Sequence, residues 1–355
     1  MQISLMFFAS DGDGNAGGGR YELLLQSCRY ADTAGFTAVW LPERHFHRFG
    51  GLFPNPAVPA AAAAIATRRL RIRAGSVIIP LCDQIRVAEE WSVVDNLSDG
   101  RVDLGFGQGW NPNDFVLQPQ NFETRLASLY QGITDVQSLW SGQRLTRTNG
   151  LGQPVDIAIY PKPVQPRFET WITCTGSDQR FEDAGRMGAN VLTVLLFQDV
   201  TELKQKIAIY RRARTQAGHA GPGHVTLMLH TFVGADSAEV RSTVREPFMR
   251  YLTDSVDLWK QNYPQFDQLS PNDRKSVLEF ACEKYLRTHS LCGSVEECRR
   301  RADHLIAAGV DEIACLIDFG VARDQVVASL RHLDQLRISL AVGTPPDQVG
   351  RGAHV

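Results

Sequence analysis

The sequence predicts an α/β fold in which eight parallel strands close into a (β/α)8 TIM barrel. Short apolar runs alternate with longer amphipathic segments, no hairpin signal separates consecutive runs, and the runs number eight. Strand–helix alternation without hairpins implies a parallel sheet covered by helices. Eight such units favour a closed barrel over an open doubly wound sheet. A chain of about 300 residues or more buries roughly 75% of its unfolded surface, so a core of this size needs no staples.

The elements follow in order. Ile3–Phe8 is a compact apolar run, and Arg20–Ala34 then places Tyr21, Leu24, Leu25, Cys28 and Ala31 at helical spacing. Phe36–Leu41 is a second strand, followed by a helix over roughly Pro56–Thr67. Leu70–Ile79 is a third, and Val87, Trp91, Val94 and Leu97 mark one face of the next helix. Arg101–Phe106 is a fourth, with a helix over about Glu123–Trp140. The pattern breaks at Ser141–Pro166, where Gly142, Gly150, Gly152 and several prolines predict an excursion outside the barrel. It resumes with Thr170–Thr173, a helix from Asp178, Asn190–Leu195, a helix over Thr201–Ala217, and Val225–Val233.

The stretch from Val233 to Asp311 is too long for one crossover and carries Pro247, Asn262-Tyr-Pro264 and Ser270-Pro271. Long insertions after a barrel strand read as lids or binding loops. Ser294-Val-Glu-Glu297 has the form of a capping box opening a helix to Ala308. Asp311–Ile317 is the last strand, and Val326, Val327, Leu330 and Leu333 line the last helix. The expected organisation is a single barrel domain over 1–340 with insertions after strands 4 and 7. These are the excursion at about 141–166 and a mobile lid at about 245–292; residues 341–355 form a frayed C-terminal tail.

Composition narrows the function classes. Thirty-seven basic and thirty-nine acidic residues give a net charge of −2, so no basic excess points to nucleic acid. The longest apolar stretch, Ala57–Ala66, contains Pro59 and is about half of the ~20 residues a membrane span needs. The start, Met1 to Phe8, lacks a charged leader and runs into Asp11 and Asp13, so it does not read as a signal peptide. Seven cysteines without CxxC spacing read as reduced thiols of a cytoplasmic protein, with Cys82, in a strand-end loop, the one to test for reactivity.

In a barrel the site is built by loops at the C-terminal ends of the strands. Pro42-Glu-Arg-His-Phe-His47 follows the second strand. His45 and His47, at i and i+2, have the spacing of metal ligands, with His230 and Asp318 as further candidates. An organic cofactor is favoured over a metal, because no second histidine cluster exists; Arg44, His45 and His47 also read as polar loop residues paired with Glu43. Gly105-Phe-Gly-Gln-Gly109 lacks the dinucleotide spacing, and Trp110-Asn-Pro112 stops a helix from following at once. Small residues there let a planar ligand approach the backbone. Thr173-Cys-Thr-Gly-Ser-Asp178 runs from a strand end into a helix, so Gly176 and Ser177 offer backbone N–H groups to a phosphate, with Arg125 as a bidentate cation. Ordinary capping by the Ser177 hydroxyl uses the same residues.

Taken together, several stretches resemble the flavin-dependent luciferase-like monooxygenases, the bacterial luciferase superfamily. They are Gly35-Phe-Thr-Ala-Val-Trp-Leu-Pro-Glu43, His45 with Phe49-Gly50, Ile85-Arg-Val-Ala-Glu89 and Asp99-Gly-Arg-Val-Asp-Leu-Gly105. Gly107-Gln-Gly-Trp-Asn-Pro-Asn-Asp-Phe115, Thr175-Gly-Ser177, Gly188-Ala-Asn-Val191 and Gly309-Val-Asp-Glu-Ile313 continue the match in order. The Trp110–Phe115 stretch and Glu312–Gly320 look like the branch that accompanies carrier-protein assembly lines of natural-product biosynthesis.

The resemblance implies a barrel of the bacterial luciferase type that takes reduced FMN from a separate flavin reductase. It also implies a cis peptide at Gly75–Ser76 against the flavin ring, and cofactor contacts from Ser10, Gln108, Trp110, Arg125, Thr175, Gly176 and Ser177. Phe8 and Trp110 are expected to wall the ring, and Phe7 and Trp40 fit that role and plain core packing equally. His45 and Arg44 are assigned to catalysis, with Glu43 holding Arg44. Luciferases proper carry Glu-His-His where this chain has Glu43-Arg44-His45, and Cys-Arg where it has Gly107-Gln108; the family's His or Asn near a proline before the third helix is Cys82-Asp-Gln84 here. Light emission is therefore not expected.

The implied function is an FMN- and O2-dependent monooxygenase. Through a hydroperoxyflavin it hydroxylates, or inserts oxygen into, a small secondary-metabolite intermediate, free or tethered to a carrier protein. The protein is expected to act as a homodimer, without nucleic acid or membrane. The rivals are a deazaflavin-dependent hydride-transfer oxidoreductase of the same superfamily, a metal-dependent barrel hydrolase using His45 and His47, and a non-enzymatic flavin-binding protein.

Overall fold

A computed structural model describes residues 1–9, 19–196, 198–259 and 270–342. Its strands are β1 (Gln2–Met6), β2 (Ala38–Leu41), β3 (Arg71–Ile78), β4 (Val102–Gly107), β5 (Leu145–Thr148), β6 (Pro154–Ile157), β7 (Thr170–Cys174), β8 (Asn190–Val194), β9 (Val225–Gly234), β10 (Leu291–Ser294) and β11 (Glu312–Leu316). The helices are α1 (Glu22–Ala34), α2 (Ala57–Ala66), α3 (Gln84–Ser98), α4 (Arg125–Trp140), α5 (Asp178–Arg186), α6 (Val200–Gln216), α7 (Ser237–Trp259), α8 (Pro271–Thr288), α9 (Val295–Ala308) and α10 (Arg323–Val342).

Eight strands pair in the order β1-β2-β3-β4-β7-β8-β9-β11, and β11 pairs back onto β1, closing a parallel barrel. Every residue of β2, β4 and β11 is buried. Strands covered on both faces read as continuous apolar runs, which is why the sequence pattern located them. The helices end where the chain supplies caps. The Asp83 carboxylate accepts from the Ile85 and Arg86 N–H groups to start α3, Asp199 and Glu202 form a capping box for α6, and Gly35 and Gly309 close α1 and α9 in the left-handed region.

The base of the barrel is filled by a buried ionic cluster. The Arg73 guanidinium lies 4.9 Å from the Trp40 ring and 4.4 Å from the Trp171 ring. It donates to Asp103 at 3.0 Å and to both Glu312 oxygens at 3.0 and 2.8 Å. Glu312 also pairs with His224 at 3.0 Å and accepts from the Ser4 hydroxyl and the Trp40 indole N–H. Three cationic or polar donors hold its carboxyl well below the usual glutamate range against the opposing cost of burial.

Both insertions carry secondary structure that the sequence reading did not assign. Within 141–166, β5 and β6 form an antiparallel pair. After β9 come α7 and α8, and β10 extends the sheet by pairing with Thr231–Gly234 of β9. Pro247 lies inside α7 and hid its helical periodicity. The capping box expected at Ser294 is only half formed. The Ser294 hydroxyl accepts from the Glu297 N–H at 3.3 Å, but the Ser237 hydroxyl stands between the two residues, accepting from the Ser294 N–H at 2.9 Å and donating to Glu297 at 2.5 Å.

Ser10, residues 260–269 of the expected lid and the tail from 343 onward lie outside the described residues. Among the described residues no helix is long and apolar enough to cross a membrane.

Candidate active site

The residues singled out at the second, third and fourth strands converge at the C-terminal mouth. Glu43 is buried and its carboxylate is fully engaged: Oε2 accepts from the Ile78 N–H at 2.8 Å, and Oε1 meets His45 Nε2 at 2.9 Å. The expected Glu43–Arg44 pair is therefore corrected. Arg44 turns instead to Asp114, with Nη1 donating to Oδ2 at 3.0 Å, and its guanidinium stacks 5.3 Å from the Trp110 ring. The 42–54 loop that carries Arg44 is tied back by its own backbone, the Arg44 N–H donating to the Phe53 carbonyl at 2.9 Å.

This wall is buried but not satisfied. Arg44 Nε and Nη2 and Asp114 Oδ1 have no hydrogen-bond partner among the described residues. Burial pulls the Arg44 guanidinium down against the opposing effect of Asp114, and pushes the Asp114 carboxyl up in spite of Arg44.

Beside it lies a ledge of small residues. The Gly75–Ser76 peptide is cis, and the pairing of β3 with β4 slips between Ala74 and Val77. A Cβ at Gly107 would stand 2.7 Å from the Ser76 hydroxyl, and one at Gly105 2.5 Å from the Ala74 carbonyl. Gly109, at φ +72°, would press Ile78 and Phe115. The Thr173 hydroxyl, from the adjacent β7, is buried without a partner.

Thr175, Gly176 and Ser177 are exposed, with Gly176 at φ +70°. Ser177 occupies the N-cap position of α5, yet its hydroxyl makes no capping bond, so the first N–H groups of that helix are left for another acceptor. Arg125 opens α4: Nη1 donates to the Phe122 carbonyl at 2.6 Å, the guanidinium lies 4.7 Å from that ring, and Nε is buried without a partner. Unpaired donors, a glycine ledge and an uncapped helix start are what a phosphate-bearing planar group requires.

Other expected residues are placed elsewhere. Trp40 and Phe7 are core: the Trp40 indole N–H is held by Ser4 and Glu312, and Phe7 is fully buried. Phe8 and Trp110 remain at the mouth, Phe8 against Phe49 at 5.2 Å and Trp110 under Arg44. His47 Nδ1 accepts from the Phe49 N–H at 3.0 Å. His230 sits among Phe248, Tyr251, Tyr285 and Phe319, with Nδ1 on the Tyr285 hydroxyl at 3.0 Å, and burial lowers its pKa to about 3. Asp318 accepts twice from the Phe8 N–H, at 2.8 and 3.0 Å, and burial raises it to about 7. These four candidate metal ligands are thus engaged separately, and among the described residues no three metal-ligating side chains gather. The Cys82 thiol contacts Glu43 at 3.6 Å, and burial with that neighbour pushes it well above the ordinary thiol range, which leaves it unreactive.

Sequence reasoning missed Asp114 as the partner of Arg44 and the aromatic set from α7 and α8 around His230. Asp114 lay inside a quoted motif, but a pairing across seventy positions leaves no local spacing signal.

The family model for luciferase-like monooxygenases matches residues 1–312. The chain belongs to that family. The flavin-dependent trigonelline monooxygenase, oxygenase component, of Acinetobacter baylyi is 25% identical over 323 residues, covering 88% of each chain. Among solved structures, the monooxygenase RslO1 from Streptomyces bottropensis superposes with a TM-score of 0.81 at 21% identity, over 96% of this chain and all of that one. The oxygenating constituent of 3,6-diketocamphane monooxygenase from Pseudomonas putida, a Baeyer–Villiger enzyme solved with FMN, gives 0.74 at 17% identity, over 95% and 96% of the two chains. An F420-dependent secondary alcohol dehydrogenase gives 0.70 at 15% identity, over 95% and 99%, so the barrel is shared by users of both cofactors. This luciferase-like monooxygenase is an enzyme whose relatives are named as flavin-dependent oxygenases.

Proposed function

We propose that this luciferase-like monooxygenase is the oxygenase component of a two-component system. It takes reduced FMN from a separate reductase and, with O2, transfers one oxygen atom to a small metabolite, free or tethered to a carrier protein. The observation that carries the reading is the set of buried, unpartnered polar atoms at the barrel mouth: Arg44 Nε and Nη2, Asp114 Oδ1, Thr173 Oγ1 and Arg125 Nε. Buried polar groups are ordinarily satisfied, so a cluster of unsatisfied ones marks where a ligand belongs.

The residues fit a flavin. The start of α5 at Gly176 and Ser177, with Arg125, would hold the phosphate, and the ledge of Gly75, Ser76, Gly107 and Gln108 beside Thr173 would take the flat ring. Reduced flavin supplies the electrons and activates O2; the protein orients the reactants and keeps water out. Glu43 holds His45 through Nε2, which leaves Nδ1 to exchange a proton with the reacting oxygen or the substrate. Trp110 and Asp114 fix the plane of Arg44. Phe8 and Phe49 present an apolar wall to the substrate.

Anaerobic titration with photoreduced FMN, followed by mixing with O2 in a stopped-flow spectrometer, tests the reading. The expected result is saturable binding of reduced FMN and reoxidation far slower than that of free flavin. Absence of binding, or reoxidation at the free-flavin rate, overturns it. Turnover without O2 using a reduced deazaflavin would favour hydride transfer instead.

A further inference from the structure

We propose that the substrate of this oxygenase carries a carboxylate, which the Nε/Nη2 edge of Arg44 binds as a bidentate fork. The inference rests on the reading of the mouth as the site of a monooxygenase and names the substrate class for it.

A guanidinium has a side-on edge, formed by the parallel N–H bonds of Nε and Nη2, that matches the two oxygens of a carboxylate. In Arg44 that edge has no acceptor among the described residues, while Nη1 alone is used by Asp114. The side chain is 3% exposed, so bulk water does not serve it. A buried donor without an acceptor is destabilising, and for a charged group more so.

Among the described residues, the two carboxylates beside it are already committed. Both Glu43 oxygens are taken, by the Ile78 N–H and by His45. Asp114 sits at the Nη1 side, so a second carboxylate would occupy a separate edge rather than compete for the same protons. The Trp110 ring supports one face of the guanidinium, which holds the fork in a fixed plane.

The same loop supplies the apolar part of the subsite. A Cβ at Gly50 would approach Phe8 Cε1 to 2.7 Å and Arg44 Cγ to 3.0 Å, so that glycine lets the Phe8 ring and the Arg44 stem lie together. Phe8 packs on Phe49 and Phe49 on Tyr251 at 4.6 Å. A charged fork beside an aromatic wall suits a flat ring bearing a carboxylate.

The probes are benzoate and 2-naphthoate, with benzamide and 2-naphthamide as neutral partners of the same shape. Each is titrated calorimetrically into the full chain, with and without FMN. Wild type is expected to bind each acid about tenfold or more tighter than its amide, the margin a charge-assisted pair supplies. Arg44→Lys keeps the charge but loses the fork and is expected to lose most of that preference. The double variant Arg44→Gln/Asp114→Asn, which leaves no lone buried charge, is expected to lose all of it.

Equal affinity for acid and amide in wild type, or no saturable binding of either acid, overturns the inference without recourse to a variant. Reduced FMN binding on the same samples separates the two readings. Tight FMN binding without carboxylate preference defeats this inference alone. Carboxylate preference without FMN binding defeats the proposed function instead.

Discussion

Two buried arginines of this barrel differ in how completely their surroundings satisfy them. Arg73, at the base, lies between two tryptophans and bonds to Asp103 and Glu312, and no buried polar atom of that cluster lacks a partner. Arg44, at the mouth, stacks on one tryptophan and bonds to one carboxylate, leaving two nitrogens and one oxygen unpaired. The carboxyls record the contrast: Glu312 is driven well below its ordinary range, whereas Asp114 is pushed up. The same pair of residue types is fully satisfied at the base and leaves buried polar atoms unpaired at the mouth.

The comparison breaks first at the base. Arg73→Met removes the guanidinium that bridges Asp103 and Glu312, leaving Asp103 with Arg71 and Glu312 with His224 in the barrel interior. Removing one partner of a buried ion pair costs about 3–5 kcal/mol where the remaining charge is uncompensated, and the surviving Arg71 and His224 contacts place this loss at the lower end of that range. Urea unfolding at neutral pH should show a loss of that order. A loss under about 1 kcal/mol, the scale of a surface pair, would mean that the base is no more structural than the mouth.

The second contrast is pH. Near the mouth, burial moves two groups in opposite directions, His230 down and Asp318 up. His230 has its pKa lowered to about 3 by burial, so its contribution is present above the unfolded value of about 6.5 and is lost as pH falls below it. Asp318 has its pKa raised to about 7 by burial, so the folded state holds its proton more tightly, and stability rises as pH falls from about 7 toward 4. One proton corresponds to about 1.4 kcal/mol per pH unit, so the two nearly cancel in the wild type between pH 6.5 and 5. Asp318→Asn should expose the histidine slope, losing about 2 kcal/mol relative to wild type across that interval. His230→Leu should expose the opposite slope. Parallel profiles for the two variants in denaturant titrations would show that neither group is held as the structure places it.

How much of this was legible depends on how local each signal is. The eight barrel strands could be read because burial on both faces writes an unbroken apolar run, as in Ala38–Leu41. The helices α7 and α8 could not, because Pro247 interrupts one and both are dense in charge. Glu43, Arg44 and His45 announced themselves as a polar cluster after a strand, but not which would pair with which. A loop of adjacent residues folds so that His45, two positions on, meets Glu43, while Arg44 crosses to Asp114. Trp40 shows the ambiguity of an aromatic near a strand end: it fitted a ring wall and plain core equally, and it is part of the base.

The finest test of the contrast is one hydroxyl. Thr173 at the mouth and Thr226 at the base both lie on barrel strands, but the Thr226 hydroxyl accepts from the Trp171 indole N–H at 3.2 Å, whereas the Thr173 hydroxyl has no partner. Thr173→Val keeps the shape and removes a buried polar group that nothing satisfies, so unfolding free energy should stay level or rise by up to about 1 kcal/mol. If that hydroxyl serves the ring of a bound flavin, the same variant should bind reduced FMN more weakly while folding no worse. Thr226→Val strands the indole N–H and should fall in stability instead. A destabilised Thr173→Val with unchanged FMN affinity would mean that its hydroxyl belongs to the fold after all, and unpaired atoms at this mouth would lose their value as a guide to where the ligand lies.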